Sequence, residues 1–546
     1  MPPPDLQAAS GALDLATEVV GRGAATLAAR ASPEAATGSG GEGAPASPEG
    51  IDRHQALAYD LAHAAAAVEA ARACLDYGTK GELEAAMACA SVADTVASLW
   101  GSLLGREAAW GVEPALLEPT RAFLATFRDP GYLAALSGQE GPRHLDEDFQ
   151  LVADTFRRFA EERIAPLAER IHRHNEDIPE EILAGLAQLG AFGLSVPEAY
   201  GGFASGGEHD YLGMVVATEE LSRASLGAGG SLITRPEILT RALVKGGTED
   251  QRRRWLPRLA SGEVMAAVAV TEPDHGSDVA NLACTATRGD DGAWRIQGTK
   301  TWCTFAGRAE VLMLLARTDP DRAKAHRGLS LFVVEKPRAA GSHFAFTQDG
   351  GGRMEGRAID TIGYRGMHSY EIAFDGWRVP ADNLVGGDAG EGRGFYLQME
   401  GFENGRLQTA ARALGVMQAA YEAALAYARE RVVFGRPIAD YQLTQVKLAR
   451  MAVTIQACRQ FAYQVARLMA KGEGGTESSM VKAYACRAAE WVTREAMQVH
   501  GGMGYAEEYA VSRYFVDARV LSIFEGADET LALKVIARHL VAAATA

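Results

Sequence analysis

The sequence predicts a chain of helical domains interrupted once by β structure. Three observations carry this. Apolar residues recur at helical spacing up to about Gly262, the pattern then breaks into short alternating runs separated by turns, and long helical stripes return after about Gly394. At 546 residues the chain is too long for one simple core, so two to four domains are expected.

Residues 1–50 hold a short amphipathic stretch, about Ala12 to Ala31, and a Gly/Ser/Pro/Ala tract from Ser32 to Gly50. The tract has little to bury, and the segment as a whole reads as a flexible start and linker. Residues 51–143 are Ala-rich, with Leu57, Leu61, Val68, Leu75, Val92, Val96, Leu99 and Leu103 at mostly helical spacings, which predicts an extra helical bundle. Its stretch Gln55–Arg72 can be laid without gaps on Gln442–Arg459, either as a degenerate copy or as a chance match of alanine-rich sequence.

Residues 144–262 form the next helical domain, with one apolar face at Phe149, Val152, Phe156 and Phe159 and another at Ile182, Leu183, Leu186, Leu189 and Phe192. Residues 263–385 form the β domain, with strands expected at Val264–Val270, Trp294–Gln297, Val311–Leu315, Leu329–Val334, Phe344–Phe346 and Tyr370–Phe374. Residues 386–546 return to helix, with a stripe through Leu407, Ala411, Leu414, Met417, Tyr421, Leu425 and Ala428.

Net charge is −16, which argues against bulk nucleic-acid binding. No apolar run reaches the length of a membrane span. The start lacks a basic segment followed by an apolar one, so no secretory signal is expected. Six scattered cysteines without a Cys-x-x-Cys pair read as free thiols of a reducing compartment, and a cytoplasmic protein is expected.

Five stretches carry chemistry. Thr271-Glu-Pro-Asp-His-Gly276-Ser277-Asp278 ends the first expected strand and offers amides and hydroxyls to a flat ring or a phosphate, or is simply a polar turn. Its His275 has no second ligand type at fixed spacing, so no metal is expected. In Thr301-Trp302-Cys303-Thr304, alternation sets Trp302 and Thr304 on one face, as an aromatic wall beside a hydroxyl or as ordinary core. Arg431-Val-Val-Phe434-Gly435 closes a long helix, where the arginine can grip a diphosphate or complement the helix dipole. Gln498-Val-His-Gly501-Gly502-Met-Gly504-Tyr505 has more glycine than a helix cap requires. Lastly, Glu525 follows the apolar run Leu521–Phe524 and precedes Gly526. It reads either as a general base in dry surroundings or as an acid at the start of a helix.

Taken together, Thr-Glu-Pro-x-x-Gly-Ser-Asp, Lys-x-Trp-x-Thr, Arg-x-x-Phe-Gly, Gln-x-x-Gly-Gly-x-Gly-Tyr and Phe-Glu-Gly make the chain resemble the flavin-dependent acyl-CoA dehydrogenases from about Leu145 to Leu540. The resemblance implies the acyl-CoA dehydrogenase fold: an α-helical domain, a central β-barrel or sandwich domain and a C-terminal four-helix-bundle domain, here with an extra N-terminal helical bundle. It implies FAD between the β domain and the C-terminal helices. Thr271, Gly276, Ser277, Trp302 and Thr304 would hold the flavin. Arg431, Phe434, Gln442, Gln498, Gly501 and Gly502 would reach the adenine-diphosphate part across a subunit interface. Glu525 falls on the family's catalytic base. A branch including isovaleryl-CoA dehydrogenase carries its base on another helix, but the matching position here is Gly405, in Glu403-Asn404-Gly405-Arg406, so Glu525 is the sole candidate. Glu403 and Arg406 would line the thioester end. Two positions depart from the pattern: Ala527 replaces a usual threonine, and Arg365-Gly-Met-His-Ser369 replaces an Arg-Gly-Ser segment.

The implied reaction is α,β-dehydrogenation of a short branched acyl-CoA. The N-terminal extension and the segment Gly227–Ile238 resemble the bacterial branch of the family that converts (2S)-methylsuccinyl-CoA to mesaconyl-CoA in the ethylmalonyl-CoA pathway. Glutaryl-CoA dehydrogenases carry a carboxylate-binding arginine where this chain has Gly229. Arg235 is the proposed substitute, or else faces solvent or a CoA phosphate. The alternatives are another short-chain or branched-chain acyl-CoA dehydrogenase, an oxidase or flavin monooxygenase on the same fold, and a non-catalytic acyl-CoA-binding protein, which Glu525 argues against. The resemblance also implies an electron-transfer flavoprotein as acceptor. If the extra bundle mimics C-terminal helices, it covers the face that packs a second dimer in tetrameric relatives, and a homodimer is expected.

Overall fold

A computed structural model describes residues 2–32 and 47–545. Most of the Gly/Ser/Pro/Ala tract therefore lies outside the described residues. The chain divides into two compact units, one made of residues 147–408 and the other of residues 1–146 with 409–546.

In the first of these, the helical part runs from Glu147–Phe159 through Glu180–Gln188, Glu208–Ala224 and Arg235–Gly246 to Glu249–Ala260. Thr248 starts the last of these with a reciprocal cap: its hydroxyl accepts from the Gln251 amide while the Gln251 side chain accepts from the Thr248 amide. The sheet follows as β1 (Ala266–Ala269), β2 (Thr285–Arg288), β3 (Trp294–Thr304), β4 (Val311–Arg317), β5 (Leu329–Glu335), β6 (His343–Thr347), β7 (Arg353–Ile359) and β8 (Ser369–Val379). Its order is β1-β4-β2-β3-β8-β7-β6, with β5 on β4. β4 lies parallel to β1 and, at one residue pair, to β2, whereas β3, β8, β7 and β6 pair antiparallel. Strands β4 and β5 are apolar almost throughout, because helices as well as sheet cover them: Ile238, Leu239, Trp255 and Leu259 share one buried cluster with Val311, Met313, Leu331 and Val333.

In the other unit the start of the chain corrects the expectation of a flexible segment. Leu6–Ala31 is one continuous helix, opened by the Asp5 carboxylate, which accepts from the Ala8 amide at 2.9 Å. Its stripe of Ala9, Leu13, Ala16, Val20, Leu27 and Ala31 is buried, and Gly23 allows Leu61 to close in, since a Cβ there would lie 2.5 Å from Leu61 Cδ2. The alternation of alanine with larger residues gives this helix little hydrophobic contrast, which is why its length was not legible. Residues 48–50, expected as linker, are also helical: Pro48–Arg53 is capped by the Ser47 hydroxyl, which accepts from the Gly50 amide.

The bundle continues in Gln55–Gly78 and Glu82–Leu103 and packs on the C-terminal helices Gln442–Ala470 and Gly475–His500. The two stretches that matched in sequence both start their helices at the aligned glutamine, Gln55 and Gln442, and these helices pack on each other. Cys74, Tyr77, Ala88 and Ala457 form one buried cluster, Arg450 pairs with Asp94 at 3.1 Å, and Lys534 with Asp52 at 2.7 Å. The helix Gly394–Glu430 is continuous over 37 residues. All six cysteines are free and buried, as read from their spacing.

Candidate active site

The turn after β1 and the middle of β3 are held together by a buried ion pair. Lys300 Nζ donates to the Glu272 carboxylate and to the Val270 carbonyl, each at 2.8 Å, and the two side chains are 0% and 4% exposed. Glu272 also accepts from the Ala283 and Cys284 amides at 2.6 and 2.8 Å. Burial pushes its carboxyl up, but Lys300 and the two amides outweigh that and hold it below the usual range. The Thr301 amide donates to the Thr271 carbonyl at 2.8 Å. The Thr271–Asp278 turn and the Trp302–Thr304 segment therefore share one surface. Both charged residues stand inside the sequence motifs, yet neither was assigned a role. Nothing in their local pattern says that they meet.

Trp302 is 55% exposed and has φ +57°, at a register shift between Lys300 and Cys303 where β3 pairs with β8. The simple alternation expected of a strand is thus broken by a bulge that re-aims the indole outward. Thr304 is half-buried, its hydroxyl 2.9 Å from that of Ser369. Gly276 and Ser277 are exposed and Thr271 is half-buried.

In the other unit, three helix ends converge. The hairpin after Glu430 has Phe434 and Gly435 as its two loop residues, with φ +51° and +85°, the geometry of a tight turn that suits strand twist. Phe434 stands 95% exposed at its tip, and Arg431 is exposed beside it. Tyr427 stacks on His500 with ring centroids 4.3 Å apart, and Lys447 pairs with Glu495 at 2.7 Å. These contacts bring Arg431, Gln442 and Gln498 to one end of the helices, all three exposed. The glycines divide by role: Gly504 packs its backbone on Met497, while a Cβ at Gly501 or Gly502 would meet nothing, although Gly501 has φ +60°.

Glu525 lies in the turn between helix Ala510–Leu521 and the last helix, residues 528–545, which passes through one π turn at Ala532–Ile536. It has φ +56°, a conformation that costs a non-glycine residue about 1–3 kcal/mol, and its Oε2 is buried without a hydrogen-bond partner. The Phe524 ring lies 5.4 Å from the Arg412 guanidinium, and Lys482 Nζ donates to the Gly526 carbonyl at 2.6 Å. The apolar run encloses it less than the sequence suggests, because Ile523 is 54% exposed.

Arg235 opens helix Arg235–Gly246 and is buried at 6% exposure, so it does not face solvent; its Nε donates to the Ser231 carbonyl at 3.0 Å. A side chain at Gly229 would collide with the Leu221 carbonyl, 2.5 Å from a built Cβ, so this backbone has no place for an arginine there. Nearby, the buried Glu237 accepts from Asn404 and lies 3.9 Å from Arg241. Glu403 is exposed on the long helix, yet loss of water around its carboxyl pushes it up, against the pull of Arg406. The variant segment Arg365–Ser369 is structural: Arg365 donates to the Thr361 and His172 carbonyls, and His368 pairs with Asp177 at 3.2 Å.

Family models for the acyl-CoA dehydrogenase N-terminal, middle and C-terminal domains match residues 146–263, 267–377 and 392–541. The chain belongs to the acyl-CoA dehydrogenase family. A (2S)-methylsuccinyl-CoA dehydrogenase of Cereibacter sphaeroides is 46% identical over 402 residues, 73% of this chain and 71% of that one. The butyryl-CoA dehydrogenase structure from Megasphaera elsdenii superposes with a TM-score of 0.66 at 31% identity, covering 73% of this chain and 99% of that one. A glutaryl-CoA dehydrogenase from Mycobacterium smegmatis in complex with FADH2 does so at 0.63 and 27%, covering 73% and 95%. This acyl-CoA dehydrogenase is an oxidoreductase acting on CH–CH bonds of acyl-CoA thioesters, with FAD as cofactor. The residues fit that group: Trp302 offers an exposed aromatic face beside hydroxyls, and Phe434 and Arg431 offer a second face and a cation. Among the described residues no group of acids, histidines and cysteines could hold a metal, and no helix is long and apolar enough to cross a membrane.

Proposed function

We propose that this enzyme oxidises a short branched acyl-CoA, (2S)-methylsuccinyl-CoA, to its α,β-unsaturated product, mesaconyl-CoA, with Glu525 as the base. The observation that carries the assignment of the base is the buried, unpartnered Oε2 of Glu525 on a left-handed backbone. An acceptor kept without a donor in a strained turn costs free energy, and such costs cluster where chemistry is done. The 46% identity to a methylsuccinyl-CoA dehydrogenase supports the acyl group.

Glu525 takes the α-proton of the thioester. Bound FAD supplies the acceptor for the hydride leaving the β-carbon. Thr271, Gly276, Ser277, Trp302 and Thr304 hold the flavin. Arg431, Phe434, Gln442, Gln498, Gly501 and Gly502 reach the adenine-diphosphate part of a cofactor held by another subunit. Glu403 and Arg406 line the thioester end, and Arg235 takes the distal carboxylate. A thioester α-proton is weakly acidic, so base strength and carbonyl polarisation must act together.

Anaerobic bleaching of the flavin against a panel of CoA thioesters tests the substrate, and methylsuccinyl-CoA should reduce it fastest. Glu525→Gln should retain FAD and fail to bleach; normal turnover would overturn the base. Arg235→Ala should penalise methylsuccinyl-CoA far more than isovaleryl-CoA, and an equal effect on both removes its role. Rapid reoxidation of the reduced flavin by oxygen would mark an oxidase, whereas reoxidation by electron-transfer flavoprotein fits the reading given. The N-terminal bundle covers a face of the C-terminal helices, and we propose a homodimer; a tetramer in sedimentation would refute it.

A further inference from the structure

The segment ahead of the family match reaches the loop that carries Glu525. Family models begin at residue 146, yet helix Gln55–Gly78 sets Tyr59 and His63, one turn apart, on Asp528. Tyr59 Oη donates to Asp528 Oδ2 at 2.6 Å, and His63 Nε2 lies 3.1 Å from the same oxygen. The two rings meet edge to face at 4.4 Å, and the Arg487 guanidinium lies 5.9 Å from the Tyr59 ring. The site is largely closed to water, with the side chains of His63 and Asp528 14% and 12% exposed. Burial pushes the Asp528 carboxyl up, but its bonds to His63 and Tyr59 outweigh that and hold it low, so the anion is the form they grip.

Asp528 is three residues from Glu525 and closes its turn, donating its amide to the Ser522 carbonyl at 3.1 Å. It also begins the last helix, residues 528–545, whose N-cap, Ala527, has no side-chain oxygen to offer. Helix Gly475–His500 holds the turn at two other points, Lys482 on the Gly526 carbonyl and Glu490 on the Ser522 hydroxyl. A left-handed glutamate persists only where its surroundings over-determine it. Two of the three clamps come from the C-terminal helices and the third from the extension.

We propose that Tyr59, His63 and Asp528 are positioning residues of the dehydrogenation, through which the extension sets the backbone of the Glu525 turn. The inference rests on Glu525 as the base. Neither Tyr59 nor His63 need touch substrate, and the extension is then part of the catalytic apparatus as well as a cover for helices.

The test uses the full-length holoenzyme with Tyr59→Phe/His63→Ala. Charge-assisted hydrogen bonds are the strong ones, and losing two should slow anaerobic bleaching about tenfold while the acyl-CoA Kd moves less than about twofold. Amide exchange across residues 523–529 should quicken while that of helix Glu82–Leu103 is unchanged. Should the double variant loosen the whole extension, Tyr59→Phe alone, which keeps both ring contacts, decides by the same two readouts. Wild-type bleaching with wild-type exchange overturns the proposal. Glu525→Gln run alongside separates the two readings: if it bleaches normally the base is wrong, and if it is dead while the Tyr59/His63 variant behaves as wild type, only the positioning role falls.

Discussion

As the proposed base, Glu525 sets a conflict between stability and chemistry that a substitution can expose. Its φ of +56° is costly for any residue with a Cβ, and its Oε2 is buried without a donor. Replacing it with glycine removes both costs, offset in part by the greater entropy of an unfolded glycine. Glu525→Gly should therefore unfold at higher denaturant, by about 1 kcal/mol, while losing activity. Glu525→Ala should show no such gain from the backbone, because alanine keeps the strain. The sequence singles this residue out as the candidate base, since an acid before glycine at the end of an apolar run stands out once the other motifs are in order. Its backbone was not legible there. Left-handed φ at a glutamate follows from bonds to Gly526 and Asp528 made by distant helices, and no local pattern encodes those.

Among the elements, the join between the turn after β1 and the bulged middle of β3 carries the proposed flavin contacts. It depends on Lys300 and Glu272, both fully enclosed. Removing one partner of a buried pair leaves the other charge without compensation, so Lys300→Met should cost about 3–5 kcal/mol in denaturant unfolding and lower FAD content with it. Lys300→Met/Glu272→Gln should recover much of that loss. The strands at β4 and β5 were easy to read because continuous Val, Leu and Ile runs leave little choice. The strands β2 and β7 were missed for the opposite reason. Thr285-Ala-Thr-Arg288 and Arg353-Met-Glu-Gly-Arg-Ala-Ile359 are short or polar, and they become strands only because β3 and β8 offer them free edges. The bulge at Trp302 was equally hidden, as alternation continues across it on paper.

At the scale of the molecule, acid should dismantle both units over a similar range. Asp177 is held low by His368, and Glu272 and Asp528 are held low by partners that outweigh their burial. Each carboxyl thus has a folded value below its ordinary 3.8 or 4.5, so its contribution is present above that ordinary value and is lost as pH falls through the folded one. Tm should be nearly level from pH 7 to about 5 and should drop steeply below about 4. The three-part order of helix, sheet and helix was legible from periodicity alone, whereas the packing of the first bundle on the last helices was expected only on the condition that it mimics them; its helices pack on each other and also share a buried cluster with those helices. That arrangement bears on how the chain is made. The first 146 residues bury Cys74, Tyr77 and Ala88 against Ala457, so their partner surface leaves the ribosome only after residues 147–408 have been synthesised. At about 5–20 residues per second this is a wait on the order of tens of seconds, during which an alanine-rich apolar bundle must stay apart from its neighbours or be sheltered by a chaperone.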